Sequence, residues 1–146
     1  MQVEVKLDRT VTEPKVVILT SQITEEVNAI ARMLSESEPK LITGFREDTV
    51  TVLDEQQILR IYAAGGKVYA VTPDGEFTLR LRLYEAEERL RQQRFVRISN
   101  SEIINLNKAK NFDLSFTGTI CVMLSDGSKT YVSRRYVNKI KEVLGI

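Results

Sequence analysis

The sequence predicts an α+β fold, predominantly antiparallel β with short helices, preceded by a small strand-strand-helix segment over residues 1–40. Three observations carry this. Short runs alternate apolar and polar residues, as in Thr49 to Leu53 and Phe77 to Leu83, the period of a half-buried strand. Gly65-Gly66, Pro73-Asp74-Gly75 and Ser125-Asp126-Gly127-Ser128 separate such runs and are signals for tight hairpins. Helical periodicity is confined to short stretches. At 146 residues the chain suits one domain with a small appendage and is long enough to bury roughly two-thirds of its unfolded surface.

In chain order, Val3, Val5 and Leu7 alternate with charged residues, and a polar linker ending at Pro14 leads into Val16-Val17-Ile18-Leu19. Both runs are expected to be strands. A helix follows from about Thr24 to Leu34, with Thr24 as N-cap, Glu25 and Glu26 in the first turn, and Ile23, Val27, Ile30 and Leu34 along one face. Ser35 to Pro39 ends it, because a proline disfavours helix in the residue before it. The domain boundary is therefore set at residue 40. Residues 41–146 form the second domain.

Beyond Leu41 the signals are mainly strand and turn. Ile58 to Tyr62 is a short apolar run, and Gly65-Gly66 turns into Lys67 to Thr72. After Pro73-Asp74-Gly75, Phe77, Leu79, Leu81 and Leu83 point to one face and Thr78, Arg80 and Arg82 to the other. Leu83, Ala86 and Leu90 then fit a short helix with Glu85, Glu87 and Glu88 exposed. Ile120, Val122 and Leu124 alternate up to the Ser125–Ser128 turn, and Thr130 to Val132 returns. Ser133 is expected to cap a last helix bearing Val137, Ile140 and Leu144, with Gly145 just past its end. Arg134 and Arg135 then fall in the first helical turn, where the macrodipole disfavours cations; the misfit points to a bound anion.

Composition excludes more than it assigns. The 42% hydrophobic and 28% charged residues describe an ordinary globular chain. There is no His and one Cys, which rules out an intrachain disulfide, Ser-His-Asp and Cys-His catalysis and His-based zinc sites. Cys121, within Ile120-Cys121-Val122-Met123-Leu124, reads as a small buried hydrophobe. Gly65-Gly66-Lys67 lacks the Ser or Thr and the earlier glycine of a phosphate-binding loop. No catalytic residues, cofactor, metal or small-molecule substrate are expected. No apolar run approaches the roughly 18 residues of a membrane span, and a cytoplasmic protein is expected.

Net charge of +1 hides an asymmetry. Residues 1–88 carry 10 Lys and Arg against 16 Asp and Glu, and residues 89–146 carry 11 against 4, so the halves stand at −6 and +7. That much positive potential suits a polyanion. The chain is organised around Arg94 to Phe112, where strand-like residues break into Ser99-Asn100-Ser101, preceded by Arg94 and Arg97 and followed by Lys108 and Lys110. Asn100, Asn105 and Asn107 add amides that both donate and accept. Cations position a nucleic acid through its phosphates, and a forked amide matches a base edge. A plain solvated loop is the alternative reading of such a stretch, and docking of an acidic protein partner, as an interaction or sensor module, is the alternative function.

Taken together, Phe95-Val96-Arg97-Ile98-Ser99-Asn100-Ser101-Glu102-Ile103-Ile104-Asn105-Leu106-Asn107-Lys108, the strand pair around Ser125-Asp126-Gly127, and Tyr131-Val132-Ser133-Arg134-Arg135-Tyr136 resemble the LytTR family of bacterial DNA-binding domains. The likeness spans roughly Leu41 to Ile146. It implies an elongated, mostly antiparallel β fold that reads double-stranded DNA from loops rather than from a recognition helix, in a stand-alone transcriptional regulator without catalysis. Carried onto this sequence, the family's contacting positions fall on Lys67, Asn100 and Arg135. Ser101, Lys108, Lys110 and Arg134 complete the expected DNA-binding set. Glu102 replaces an aromatic frequent in the family. Many members carry a receiver domain ahead of this one, for which residues 1–40 are too few. These residues hold too little apolar surface to stand alone: either they cover the acidic half of the same chain, or they pair with the same segment of a second copy, which would make the protein a homodimer reading two half-sites.

Overall fold

The structure, a computed structural model, describes residues 1–35 and 41–146. The chain divides into two units, Met1–Pro39 and Lys40–Ile146.

In the first unit, helix α1 spans Glu25–Ser35, and the Thr24 hydroxyl accepts the Val27 N–H at 3.3 Å, the bond expected of an N-cap. Residues 36 to 39, expected to end the helix, lie outside the described residues. The two expected strands do not form: residues 1–22 make no ladder, and Val3, Val5, Leu7 and Leu19 are 83–97% exposed. Alternation marks a segment fit for a sheet, but a strand exists only where a neighbour supplies backbone partners.

The described residues of the second unit contain ten strands: β1 Thr43–Arg46, β2 Thr49–Val52, β3 Arg60–Ala64, β4 Lys67–Thr72, β5 Gly75–Leu79, β6 Phe95–Ser99, β7 Glu102–Asn105, β8 Ala109–Asp113, β9 Ile120–Leu124 and β10 Lys129–Val132. Helix α2 is Leu83–Arg89 and helix α3 is Val137–Leu144. The first seven strands form one sheet in the order β2-β1-β5-β4-β3-β7-β6, and the last three form another, β10-β9-β8. Every pairing is antiparallel. The expected α+β class with a dominant antiparallel sheet is the observed one.

Two apolar cores hold these layers. Ile61, Ala70, Phe77 and Leu79 of the larger sheet meet Leu83, Ala86 and Leu90 of the α2 region in the first. Val96, Ile98 and Ile104 meet Ile120, Val122, Leu124 and Val132 of the smaller sheet and Ile140 of α3 in the second. Strand β7 serves both, since Ile103 enters the first core and its neighbour Ile104 the second, each fully buried. A run of consecutive isoleucines is what a strand covered on both faces requires. Gly44 in β1 is dictated by packing. A Cβ there would lie 2.7 Å from the Phe77 Cβ, inside van der Waals contact.

Candidate nucleic-acid interface

Three pieces of backbone meet at one end of the larger sheet. The β3–β4 connection is Gly65-Gly66, with φ of 57° and 78°; two consecutive left-handed residues make the tight turn whose twist matches antiparallel strands. Exposed Lys67 follows it directly. The β6–β7 connection is Asn100-Ser101, flanked by the pair Ser99 and Glu102. Its Ser101 carbonyl accepts the Ala63 N–H at 2.8 Å, which sets this turn beside the end of β3. The third piece is a 3-10 turn, Arg134–Tyr136, tied to the end of β6 by the Ser133 N–H donating to the Ile98 carbonyl at 2.9 Å.

This turn corrects the expected helix start. Arg134 and Arg135 precede α3 instead of opening it, and the Ser133 side chain makes no cap hydrogen bond. The macrodipole penalty inferred for the two arginines therefore does not apply in that form, because their residues lie outside the α-helical ladder. Gly145 is where it was expected, left-handed at φ 73° past the end of α3. The Arg134 guanidinium lies over Gly118, where a Cβ would sit 3.3 Å from Nε and Nη2. The glycine, itself at φ 75°, lets the loop pass beneath the arginine.

The hydrogen bonds sort the residues of the Arg94–Phe112 stretch. Arg97 is structural: Nε donates to the Ser99 carbonyl at 2.8 Å, Nη2 to the Asn100 carbonyl at 2.6 Å, and Nη1 to the Glu87 carboxylate at 2.6 Å. Its charge is thereby matched by an acid of α2. Asn105 is also structural, 1% exposed, donating to the Ile58 carbonyl and accepting the Asn107 N–H. Glu102 pairs with Arg60 at 3.5 Å, so its negative charge is offset beside the turn. Asn100 and Ser101 are exposed at the tip, and the Tyr136 hydroxyl donates to Asn100 Oδ1 at 3.2 Å. Nothing in the sequence singled out Tyr136 or Glu87 for these contacts; only the fold brings them to residues 36 and 10 positions away.

Lys67, Asn100, Ser101, Arg134 and Arg135 are thus brought to one end of the unit. Lys108 and Lys110 are not. Lys108 sits past the far end of β7, its carbonyl accepting the Ser125 N–H at 2.8 Å, and β8 carries the chain back from there. Among the described residues none of Lys67, Lys108, Lys110, Arg134 and Arg135 is in an ion pair, leaving five positive charges available to an anion. Cys121 is buried and free, as expected. Among the described residues no group of acids or thiols is placed to hold a metal ion, and no helix is long and apolar enough to cross a membrane.

Hairpin tips and a 3-10 turn bearing cations and amides on a rigid antiparallel sheet define a binding module for an extended anion. Residues 48–145 match the profile of the LytTr DNA-binding domain, and the chain belongs to that family of non-catalytic DNA-binding domains. A relative in Staphylococcus aureus strain NCTC 8325, named as an uncharacterized HTH-type transcriptional regulator, is 30% identical over 147 residues covering 100% of this chain and 99% of that protein. Another of the same description, from strain MSSA476, is 32% identical over 136 residues and 92% of each chain. The fold matches the LytTr DNA-binding domain of a Bacillus cereus protein named as a methyl-accepting/DNA response regulator, with TM-score 0.69 and 23% identity over 73% of this chain and 99% of that one.

Proposed function

We propose that the protein is a bacterial transcriptional regulator that binds duplex DNA sequence-specifically, with the Asn100-Ser101 turn and Arg135 reading base edges from a groove and Lys67 and Arg134 holding flanking phosphates. The observation that carries this is the convergence of the Lys67, Asn100 and Arg134–Arg135 segments on one end of the sheet, with none of the three cations in an ion pair among the described residues. Lys108 and Lys110, at the other end of β7, take phosphates further along the duplex. The S. aureus relatives, matched over 99% and 92% of their length, are named as transcriptional regulators; this supports the same reading, and such a protein works in the cytoplasm. Selection of binding sites from random duplex DNA tests it: an enriched motif is expected, and recovery of none would favour docking to an acidic protein.

The reading extends to a homodimer formed through residues 1–40. Val3, Val5, Leu7, Val16, Val17 and Leu19 leave much apolar surface in water, and a second copy of the same segment supplies both the missing backbone partners and the cover. Light scattering of the full chain against a chain starting at Lys40 decides this. A dimer that becomes a folded monomer is expected, and a full chain monomeric both free and on DNA removes the idea.

A further inference from the structure

Asn100 is held from two directions. Its carbonyl is fixed by Arg97 Nη2 at 2.6 Å, the same guanidinium bonding the Ser99 carbonyl and Glu87, and its side-chain Oδ1 accepts the Tyr136 hydroxyl at 3.2 Å. Arg97 comes from β6 and Glu87 from α2, while Tyr136 comes from the turn leading into α3. Elements of both cores therefore hold this one exposed residue, the first by its backbone and the second by its side-chain amide.

A free asparagine presents either edge, donor or acceptor, and so has no preference between a base that accepts and one that donates. A phenol is a strong donor and a weak acceptor, so the amide turns its oxygen to Tyr136. That engages Oδ1 and leaves the Nδ2 hydrogens, which have no hydrogen-bond partner among the described residues, for a base. Resting on the proposed DNA-binding function, we infer that Tyr136 is a positioning residue that makes Asn100 a hydrogen-bond donor at its base contact. The contact then selects a base acceptor in the major groove, such as a purine N7 or a keto oxygen, and disfavours the amino group of cytosine, which only donates there. Arg97 and Glu87 supply the backbone half of the same constraint.

The test uses the full chain, with Asn100→Ala, Tyr136→Phe and the double variant measured on the selected duplex and on a random one. One hydrogen bond corresponds to about a five- to tenfold change in affinity. Tyr136→Phe should lose about that on the selected duplex and less than about twofold on random DNA, with an unchanged melting temperature. In the Asn100→Ala background it should do nothing further. A duplex series with each purine replaced by its 7-deaza analogue, and each keto oxygen by a thiocarbonyl, should show one position at which wild type is sensitive and Tyr136→Phe is not. Additive losses in the double variant, or losses equal on both DNAs, would overturn the assignment.

The free protein separates this from the DNA-binding reading itself. In its NMR spectrum, Tyr136→Phe should move both resonances of the Asn100 side-chain NH2 pair toward the positions they take in a solvent-exposed, mobile asparagine. An unmoved pair refutes the positioning contact whether or not DNA is bound. Absence of any selected motif with a shifted pair refutes the base-reading role while leaving the contact in place.

Discussion

Arg97 Nη1 lies 2.6 Å from Glu87 Oε2 while the remaining nitrogens of the same guanidinium hold the carbonyls of Ser99 and Asn100. A planar fork reaches three separated acceptors from three different nitrogens, a geometry that the single nitrogen of a lysine does not reproduce. The Arg97 side chain is 17% exposed and that of Glu87 44%, so solvent screens the ion pair and its direct worth is small. The larger effect is on the turn. Arg97→Lys should lower stability by about 1 to 2 kcal/mol and weaken specific DNA binding, whereas Glu87→Gln should cost about 0.5 kcal/mol or less. Chemical denaturation of both variants checks this; equal losses would assign the stability to the ion pair instead of to the carbonyl bonds.

Base readers and phosphate holders should separate in their salt dependence. Asn100→Ala and Arg135→Ala should each weaken specific binding by about 1 to 3 kcal/mol and leave non-specific affinity near wild type. Lys108→Ala and Lys110→Ala should weaken binding to all sequences and each reduce the slope of log affinity against log salt by about one. Titrations at several salt concentrations on cognate and random duplexes measure both.

Arg134→Glu should abolish DNA binding, since it places a carboxylate where a phosphate is to sit. Arg134 makes no ion pair among the described residues and precedes the α-helical ladder, so its loss should change stability by no more than about 0.5 kcal/mol. Calorimetry checks this: a clear fall in melting temperature would show that its stacking over Gly118 is structural.

The Tyr62 hydroxyl donates to the Glu76 carboxylate, and this bond pushes the phenol up to about 12. The folded chain thus keeps a proton that the unfolded chain, with an ordinary tyrosine near pH 10, gives up. The stabilisation is complete below about pH 10 and is lost as pH rises toward 12. In an ultraviolet tyrosine titration, Tyr62→Phe should remove the latest absorbance step and Glu76→Gln should move it to lower pH. A late step untouched by both would deny the bond.

Gly44→Ala should destabilise the protein by about 1 to 3 kcal/mol. The added methyl meets the Phe77 side chain at its Cβ, Cγ and Cδ1, 2.7–3.0 Å away, and the root of a buried ring cannot swing aside. Removing Cγ and Cδ1 of the partner in a Gly44→Ala, Phe77→Ala double variant should recover part of the loss relative to the sum of the single effects. Additive losses would exclude the clash as the cause.

Turn chemistry was the most legible part of the sequence. Gly65-Gly66, the turn ending at Gly75 and Ser125 to Ser128 each join the strands expected of them, because φ and local side-chain bonds there are decided by the residues themselves. Residues 3–7 and 16–19 show the opposite case, where an alternating pattern does not name its partner. Side-chain roles were hidden for a similar reason. Asn100, Asn105 and Asn107 look alike in sequence, and only the approach of Ile58 makes Asn105 internal, while Arg97 resembles a phosphate ligand until Glu87 arrives from another element.

Because Ile103 and Ile104 commit one short strand to two opposite cores, the hairpin ending in Asn100 has no independent way to loosen. Any fluctuation that bends this tip must open apolar contacts above and below it together, so its amides should be slow to exchange with solvent although the tip itself is exposed. The proposed reading of base edges gains from this, since the DNA, and not the protein, would then have to make the adjustments on docking.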